Sequence, residues 1–331
     1  MRRGDFSRDL YVAILAAGKA KRMNSFKSKV LHEVAGKPLL YFPLKVARSL
    51  RPKKVFVVIG GPYMDQIKEF LRDEDVEIVI QEEPKGTGDA VKRVKPYIDN
   101  FDSDIFIIPG DAPLLTEMTA KELMEFHRSR GAYATVLTAE VPDPTGYGRI
   151  IRSVGDRVLM IVEEADAFPE EKAIKEVNSG MYFFYTSVLF QYIDEIRPDN
   201  KQGEYYLTDI IEILQRRMGN VFAYKIDDWE EILGVNTREH LGLVNRIMLR
   251  RIVKNMLESG VSIIDPDKVY IEAEVKIGKD VIIYPFVSLL GKTEIGDNAV
   301  IGPGVVLKDV VIPPNARVFN SYPLEGIKDE R

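Results

Sequence analysis

The first third of the chain alternates short, continuous apolar runs with amphipathic segments. Leu10–Leu15, Val55–Gly60, Val76–Gln81 and Asp104–Gly110 are rich in β-branched residues and predict buried strands. Between them, 37–50, 63–73 and 86–98 have the period and composition of helices. Strand–helix–strand alternation predicts a mostly parallel sheet covered on both faces. Such sheets take ligands beyond the carboxyl ends of their strands. Three stretches fall there: AAGKAKRM (16–23), QEEPKGTG (81–88) and PGDAPLL (109–115).

At Asn236 the pattern lengthens into one amphipathic helix to Ser259, with Leu241, Val244, Met248 and Ile252 near one face. Asn236 suits its N-cap, Glu239 a capping box and Gly260 a C-terminal stop. From Val269 a six-residue rhythm takes over: VYIEAE, VKIGKD, VIIYPF, VSLLGK, TEIGDN, AVIGPG, VVLKDV, VIPPNA. The third place is Ile or Leu in every unit but the last. Units in continuous register predict a parallel β-helix. Eight of them, one per face of a triangular coil, predict between two and three coils, whose ends need capping or oligomerisation.

Composition narrows the classes. A net charge of −5 argues against a nucleic-acid-binding surface. The absence of cysteine excludes disulfides, thiolate metal sites and a catalytic thiol. The opening MRRGDFSRDL lacks the apolar core of a signal peptide, and no apolar run nears the roughly 18 residues of a membrane span. The expectation is a cytoplasmic protein with no nucleic-acid or membrane partner.

Taken singly, the loop motifs are weak. Arg22 and Lys29 suit a solvated surface as well as a phosphate, and Asp111 is also an ordinary turn residue. Taken in order, LAAGKAKRM…SKVLHEVAGKPLL, QEEPKGTGDAV, PGDAPLL, DPTGYGRI, IVEEADA, EVNSGMY, QGEYYLTDII and GVNTREHL resemble the bacterial N-acetylglucosamine-1-phosphate uridylyltransferases. These belong to the sugar-nucleotide pyrophosphorylases. The resemblance implies a Rossmann-like nucleotidyltransferase domain with a mixed, mostly parallel sheet (1–235), a connecting helix (236–260), a short left-handed parallel β-helix (261–318) and a tail (319–331).

The implied reaction joins UTP to N-acetylglucosamine-1-phosphate and releases pyrophosphate. Arg22 and Lys29 match the family's catalytic basic pair. Leu15, Ala16, Ala17, Gly18, Lys29, Gln81, Gly86 and Thr87 match its nucleotide contacts, with Gln81 the uracil reader. Gly148, Glu163, Asn178 and Glu204 match its sugar contacts, with Tyr205 bordering the same pocket, while Glu164 has no matched role and reads as a solvated charge. Asp111 and Asn236 match its ligands for Mg²⁺, the implied cofactor, although the N-cap and metal roles of Asn236 compete for one oxygen. A homotrimer is implied by resemblance.

Several positions depart from the family pattern: Ala20 and Lys21 for Gly-Thr, Ser28 for a proline before the lysine, and Pro109 for an aromatic residue. The long form of the family also acetylates glucosamine-1-phosphate with a histidine base on an extended β-helix. Here His32, His127 and His240 all precede the repeats, so acetyl transfer is not expected. Another nucleotide–sugar pair, such as dTTP with glucose-1-phosphate, stays open because Gln81 cannot tell uracil from thymine. A non-catalytic regulatory or scaffold role is the alternative from another class.

Overall fold

The computed structural model describes residues 8–18 and 21–320. Packing divides the chain into two units, one ending at His32 and resuming at Leu39–Arg238, the other made of Glu33–Pro38 and the chain from Glu239 onward.

In the first unit nine strands form one sheet: β1 Asp9–Ala16, β2 Lys54–Gly60, β3 Glu77–Gln81, β4 Ser103–Pro109, β5 Ala134–Glu140, β6 Arg149–Arg152, β7 Val158–Val162, β8 Glu176–Tyr185 and β9 Val221–Ile226. Their order is β9-β5-β8-β4-β1-β2-β3, with β6 joining β8 to β7. The four apolar runs predicted as strands become β1–β4, all parallel. β8 runs antiparallel to both β4 and β5, which makes the sheet mixed. Alternate residues of each strand enter separate cores: Tyr11, Phe56 and Ile105 on one face, Val12, Val57 and Phe106 on the other. Phe106 stacks on Phe183 across the β4–β8 junction, with centroids 4.3 Å apart. Each such buried side chain contributes on the order of 1.5–3 kcal/mol.

β8 carries an irregularity that shapes the site. Asn178 pairs with Thr138 and Tyr182 with Val136, so four steps along β8 match two along β5. The arch is held by Ser179, whose hydroxyl donates to the Leu137 carbonyl (2.6 Å), and turns at Gly180 with φ +76°. At the opposite end of the strands, Asp104 is buried and receives Arg8 (3.1 Å) and Arg128 (2.8 Å), with His127 also fully buried beside it. Burial pushes the His127 pKa down. Its Nδ1 lies 2.9 Å from the Thr135 hydroxyl.

The three predicted helices of this unit are all shorter than their patterns, the second spanning Met64–Phe70. Lys37–Pro38 pairs as a strand with Glu33–Val34 around Ala35 and Gly36, both at positive φ as a two-residue hairpin turn requires, so the helix begins at Tyr41. The third helix spans Thr87–Lys92, and Pro96, which lacks an N–H, leaves only a 3₁₀ turn at Lys95–Tyr97.

In the second unit the long helix runs Arg238–Glu258 and buries Val244 of the expected stripe, together with Ile247 and Val253, which were not expected. The β-helix follows in three parallel sheets. Its first strand is Ser262–Ile263, ahead of the first hexad. The coil therefore completes three turns and begins a fourth at Arg317–Val318, exceeding the expected two to three. The hexad count also slips. Lys276 pairs with Glu294, 18 residues on, but Glu294 pairs with Val311, only 17 on. The unit starting at Val305 has lost a residue at the Asp309 turn (φ 52°). Ile312 thus fills the buried third place that the last unit lacked on paper.

Candidate active site

The carboxyl ends of β1–β4 converge. The Gly110 N–H donates to the Leu15 carbonyl (2.8 Å). A Cβ on Gly60 would lie 2.6 Å from the Gln81 carbonyl and 3.1 Å from the Ala17 Cβ, so these strand ends touch at van der Waals range. Leu15, Ala16, Ala17 and Gly18 thus share one edge with Gln81 and Asp111. Gly18 is not in the left-handed region, and a Cβ there would meet nothing within 4 Å, so the fold itself does not demand glycine. Ala20 lies outside the described residues, as does the side chain of Lys21. Arg22 is exposed on the 3₁₀ turn Lys21–Met23, which is pinned by fully buried Met23.

Lys29 lies at the centre of this edge. Its ammonium pairs with Asp111 and donates to Asn236 Oδ1 at 3.0 Å. Lys29 and Asp111 are mostly enclosed, each side chain 16% exposed. The Val235 N–H donates to the Asp111 carbonyl (2.9 Å), which ties the segment before the long helix to the end of β4. Because that helix starts at Arg238, Asn236 is not its N-cap; its oxygen serves Lys29 instead. The Tyr147 pKa is raised, first by burial and then by the Asp111 charge. Lys29, Asp111 and Asn236 come together, and among the described residues no hydrogen bond or ion pair joins Arg22 to them.

On the β3 side, Gln81 is 2% exposed. Its amide nitrogen donates to the Gly86 carbonyl (3.1 Å) and to Asp89 (2.8 Å). Gly86 has φ +115°, and a Cβ there would lie 2.4 Å from the Tyr205 carbonyl oxygen, so neighbouring backbone already requires this glycine. Tyr205 closes the loop by donating to Lys85 (2.8 Å) and accepting from Gly88 (2.8 Å), and Thr87 Oγ1 accepts from Leu207 N (3.0 Å).

The same strand-like segment reaches the predicted sugar residues. Thr208 donates to Glu163 Oε1 (2.9 Å), and a Cβ on Gly148 would sit 3.3 Å from the other Glu163 oxygen. Burial raises the Glu163 pKa against the Thr208 hydrogen bond, with Asp166 adding to the rise. Asn178 N donates to the Gly148 carbonyl (2.8 Å), and Asn178 Nδ2 donates to the Tyr182 hydroxyl (2.7 Å). The Tyr182 phenol is held far above its ordinary pKa by burial and by Glu163. Glu204 belongs to the turn beside them, where its carbonyl accepts from Asn200 (2.6 Å). Asp209 is pushed up to about 6 by burial, with Glu163, Glu212 and Asp166 contributing.

Glu164 corrects the expectation of a solvated charge. It pairs at 2.6 Å with Arg149, a side chain almost wholly buried, and so neutralises a buried cation. Tyr147, Tyr182, Thr208 and Asp89 were missed by sequence reasoning. All four stand inside quoted motifs, but their partners are set only by the fold: Asp89 meets Gln81 and Tyr182 meets Asn178.

Residues 11–234 match the nucleotidyl transferase family, and residues 274–309 match the bacterial transferase hexapeptide repeat. The chain is 43% identical over 318 residues to the bifunctional protein GlmU of Caldanaerobacter subterraneus subsp. tengcongensis, covering 96% of this chain and 69% of that one. It is 42% identical over 320 residues to the bifunctional protein GlmU of Lactobacillus johnsonii, covering 97% and 69%. A crystal structure from Bacillus anthracis, assigned as a glucose-1-phosphate thymidylyltransferase and holding a sucrose, superposes with a TM-score of 0.60 at 21% identity. It covers 72% of this chain and 94% of its own, a likeness of fold.

Proposed function

The chain belongs to the bacterial N-acetylglucosamine-1-phosphate uridylyltransferases of the nucleotidyltransferase family, and from that membership we propose how its residues divide the work. The reaction joins UMP from UTP to N-acetylglucosamine-1-phosphate. A phosphate oxygen of the sugar attacks the α-phosphorus of UTP, a P–O bond forms, and the bond to the β-phosphate breaks to release pyrophosphate. Such transfer depends mainly on positioning and charge stabilisation.

The observation that carries this reading is the Lys29 ammonium, gathered with Asp111 and Asn236 beside the open backbone of Gly18. Two anionic reactants repel, and Lys29 offsets that repulsion at the α-phosphate. Arg22, exposed and planar, takes the triphosphate end in bidentate fashion. Leu15, Ala16, Ala17 and Gly18 line the nucleotide with backbone. Gln81 has both amide hydrogens engaged, so its carbonyl oxygen accepts from uracil N3–H, and the matching donor comes from the backbone at Gly86 or Thr87. Glu163, Asn178, Gly148 and Glu204 receive the sugar.

Mg²⁺ is the proposed cofactor. A carboxylate and a carboxamide oxygen already converge on one cationic group, the Lys29 ammonium, and that donor set suits an ion taking one or two protein oxygens. Bound there, it would neutralise phosphate charge. A homotrimer is the proposed assembly: Ile264 and Phe319, 58% and 60% exposed, share one column of the coils with Tyr284, interrupted only by Gly302 between Tyr284 and Phe319. Among the described residues no helix is long and apolar enough to cross a membrane. A cytoplasmic location is part of the proposal.

The test is pyrophosphate release from each NTP with a panel of sugar-1-phosphates, with and without Mg²⁺. UTP with N-acetylglucosamine-1-phosphate should lead, and no release from any pair would sink the reading.

A further inference from the structure

The stretch Ser25–Ser28, just before Lys29, is fastened by the helix Met64–Phe70 and the residue before it. The Tyr63 hydroxyl donates to the Ser25 carbonyl at 3.0 Å. Gln66 then uses both ends of its amide: Nε2 donates to the Phe26 carbonyl (3.0 Å), and Oε1 accepts from the Ser28 N–H (2.9 Å). One orientation of the amide satisfies both bonds, and its flip satisfies neither. Ser28 is buried and has φ −54°, ψ 139°. That is the φ a proline ring would impose, and the N–H that Gln66 captures is the one a proline would lack.

We infer that Gln66 is a positioning residue for Lys29, doing with hydrogen bonds what a proline at 28 would do covalently. The Ser28 carbonyl accepts from Leu31 N (3.0 Å) to start the turn Lys29–Leu31, so the backbone state of Ser28 sets where that turn begins. On the far side of Lys29, Val30 and Leu31 are buried. Lys29 is thereby clamped from both directions, by packing after it and by Gln66 before it. The inference rests on Lys29 being the catalytic cation proposed above.

In the full chain, Gln66→Leu should lower kcat about tenfold, because small misplacements of a reacting group are costly. Substrate KM values and Tm should hardly move, while amide exchange in residues 24–30 accelerates. Ser28→Pro combined with Gln66→Leu should recover kcat to within about twofold of wild type, since the ring replaces the lost bond. Three results would overturn the inference: faster exchange with unchanged kcat, unchanged exchange, or a kcat loss that simply follows Tm. A Ser28→Pro/Gln66→Leu variant as slow as Gln66→Leu alone would overturn the equivalence with proline. Failure of wild type with every NTP would instead remove the assignment of Lys29, and the exchange measurement would still report whether Gln66 holds the loop.

Discussion

Two corners of the first unit handle polar groups in opposite ways. At the end of β4, a cation lies between a carboxylate and an amide oxygen, so charge is met by charge before any ligand arrives. At the arch of β8, Glu163 accepts from a neutral hydroxyl, that of Thr208, and its proton affinity rises with burial. The contrast fits the two ends of a sugar phosphate. A phosphate needs movable positive charge, whereas a ring of hydroxyls needs acceptors and donors fixed in direction.

Removing charge from the first corner should break the comparison most severely. Asp111→Ala and Lys29→Ala should each lower turnover by at least about 10²-fold in a pyrophosphate-release assay, with circular dichroism unchanged. At the second corner, Glu163→Gln should act on binding: the KM for the sugar phosphate should rise roughly 10- to 100-fold while that for UTP stays put, as expected for a hydrogen bond to a charged group. Equal effects on both substrates would blur the two corners into one. Next in size, Lys29→Met should tighten Mn²⁺ binding to the ligand-free enzyme about tenfold, because the ammonium no longer competes for Asp111 and Asn236. Electron paramagnetic resonance titration reads this directly, and an unchanged affinity would show that ammonium and metal do not share the position.

The smallest effect concerns Asp209. Its folded pKa of about 6 lies above the ordinary value of 3.8, so the folded state binds the proton more tightly than the unfolded state does. Relative stability is full at low pH and is lost as pH rises from about 4 through about 6. Asp209→Asn should therefore raise Tm by about 2–4 °C at pH 7.5 and hardly at all near pH 4. A gain of equal size at both pH values would mean that the carboxylate is not strained by its surroundings.

How legible each part was in the sequence follows the range of its interactions. β1–β4 were readable because a strand buried on both faces is a continuous apolar run, a purely local signal. Gly86 was also readable, although its reason is the Tyr205 backbone, and not only a nucleotide. The pairing of Glu164 with Arg149 spans two strands, and Gln66 reaches Ser28 across 38 residues; neither leaves any periodic trace. Asn236 looked like a cap because asparagine fits that role locally, and only the arrival of Lys29 decides where its oxygen is used. The hexads misled at one point for a similar reason: counting by six cannot see a corner that has shortened by one residue, which strand pairing reveals at Glu294 and Val311.

The arch of β8 has a consequence for how this enzyme can change over generations. Residues four apart on a regular strand lie roughly 13 Å from one another, yet Asn178 and Tyr182 share a hydrogen bond because extra chain is folded away between them. A substitution at Met181 leaves the Ser179 anchor and the Gly180 turn in place, and with them that meeting. An inserted or deleted residue would separate the pair at a stroke. Variation among homologues and in laboratory libraries should accordingly spare Ser179 and Gly180 and, above all, the length of this stretch.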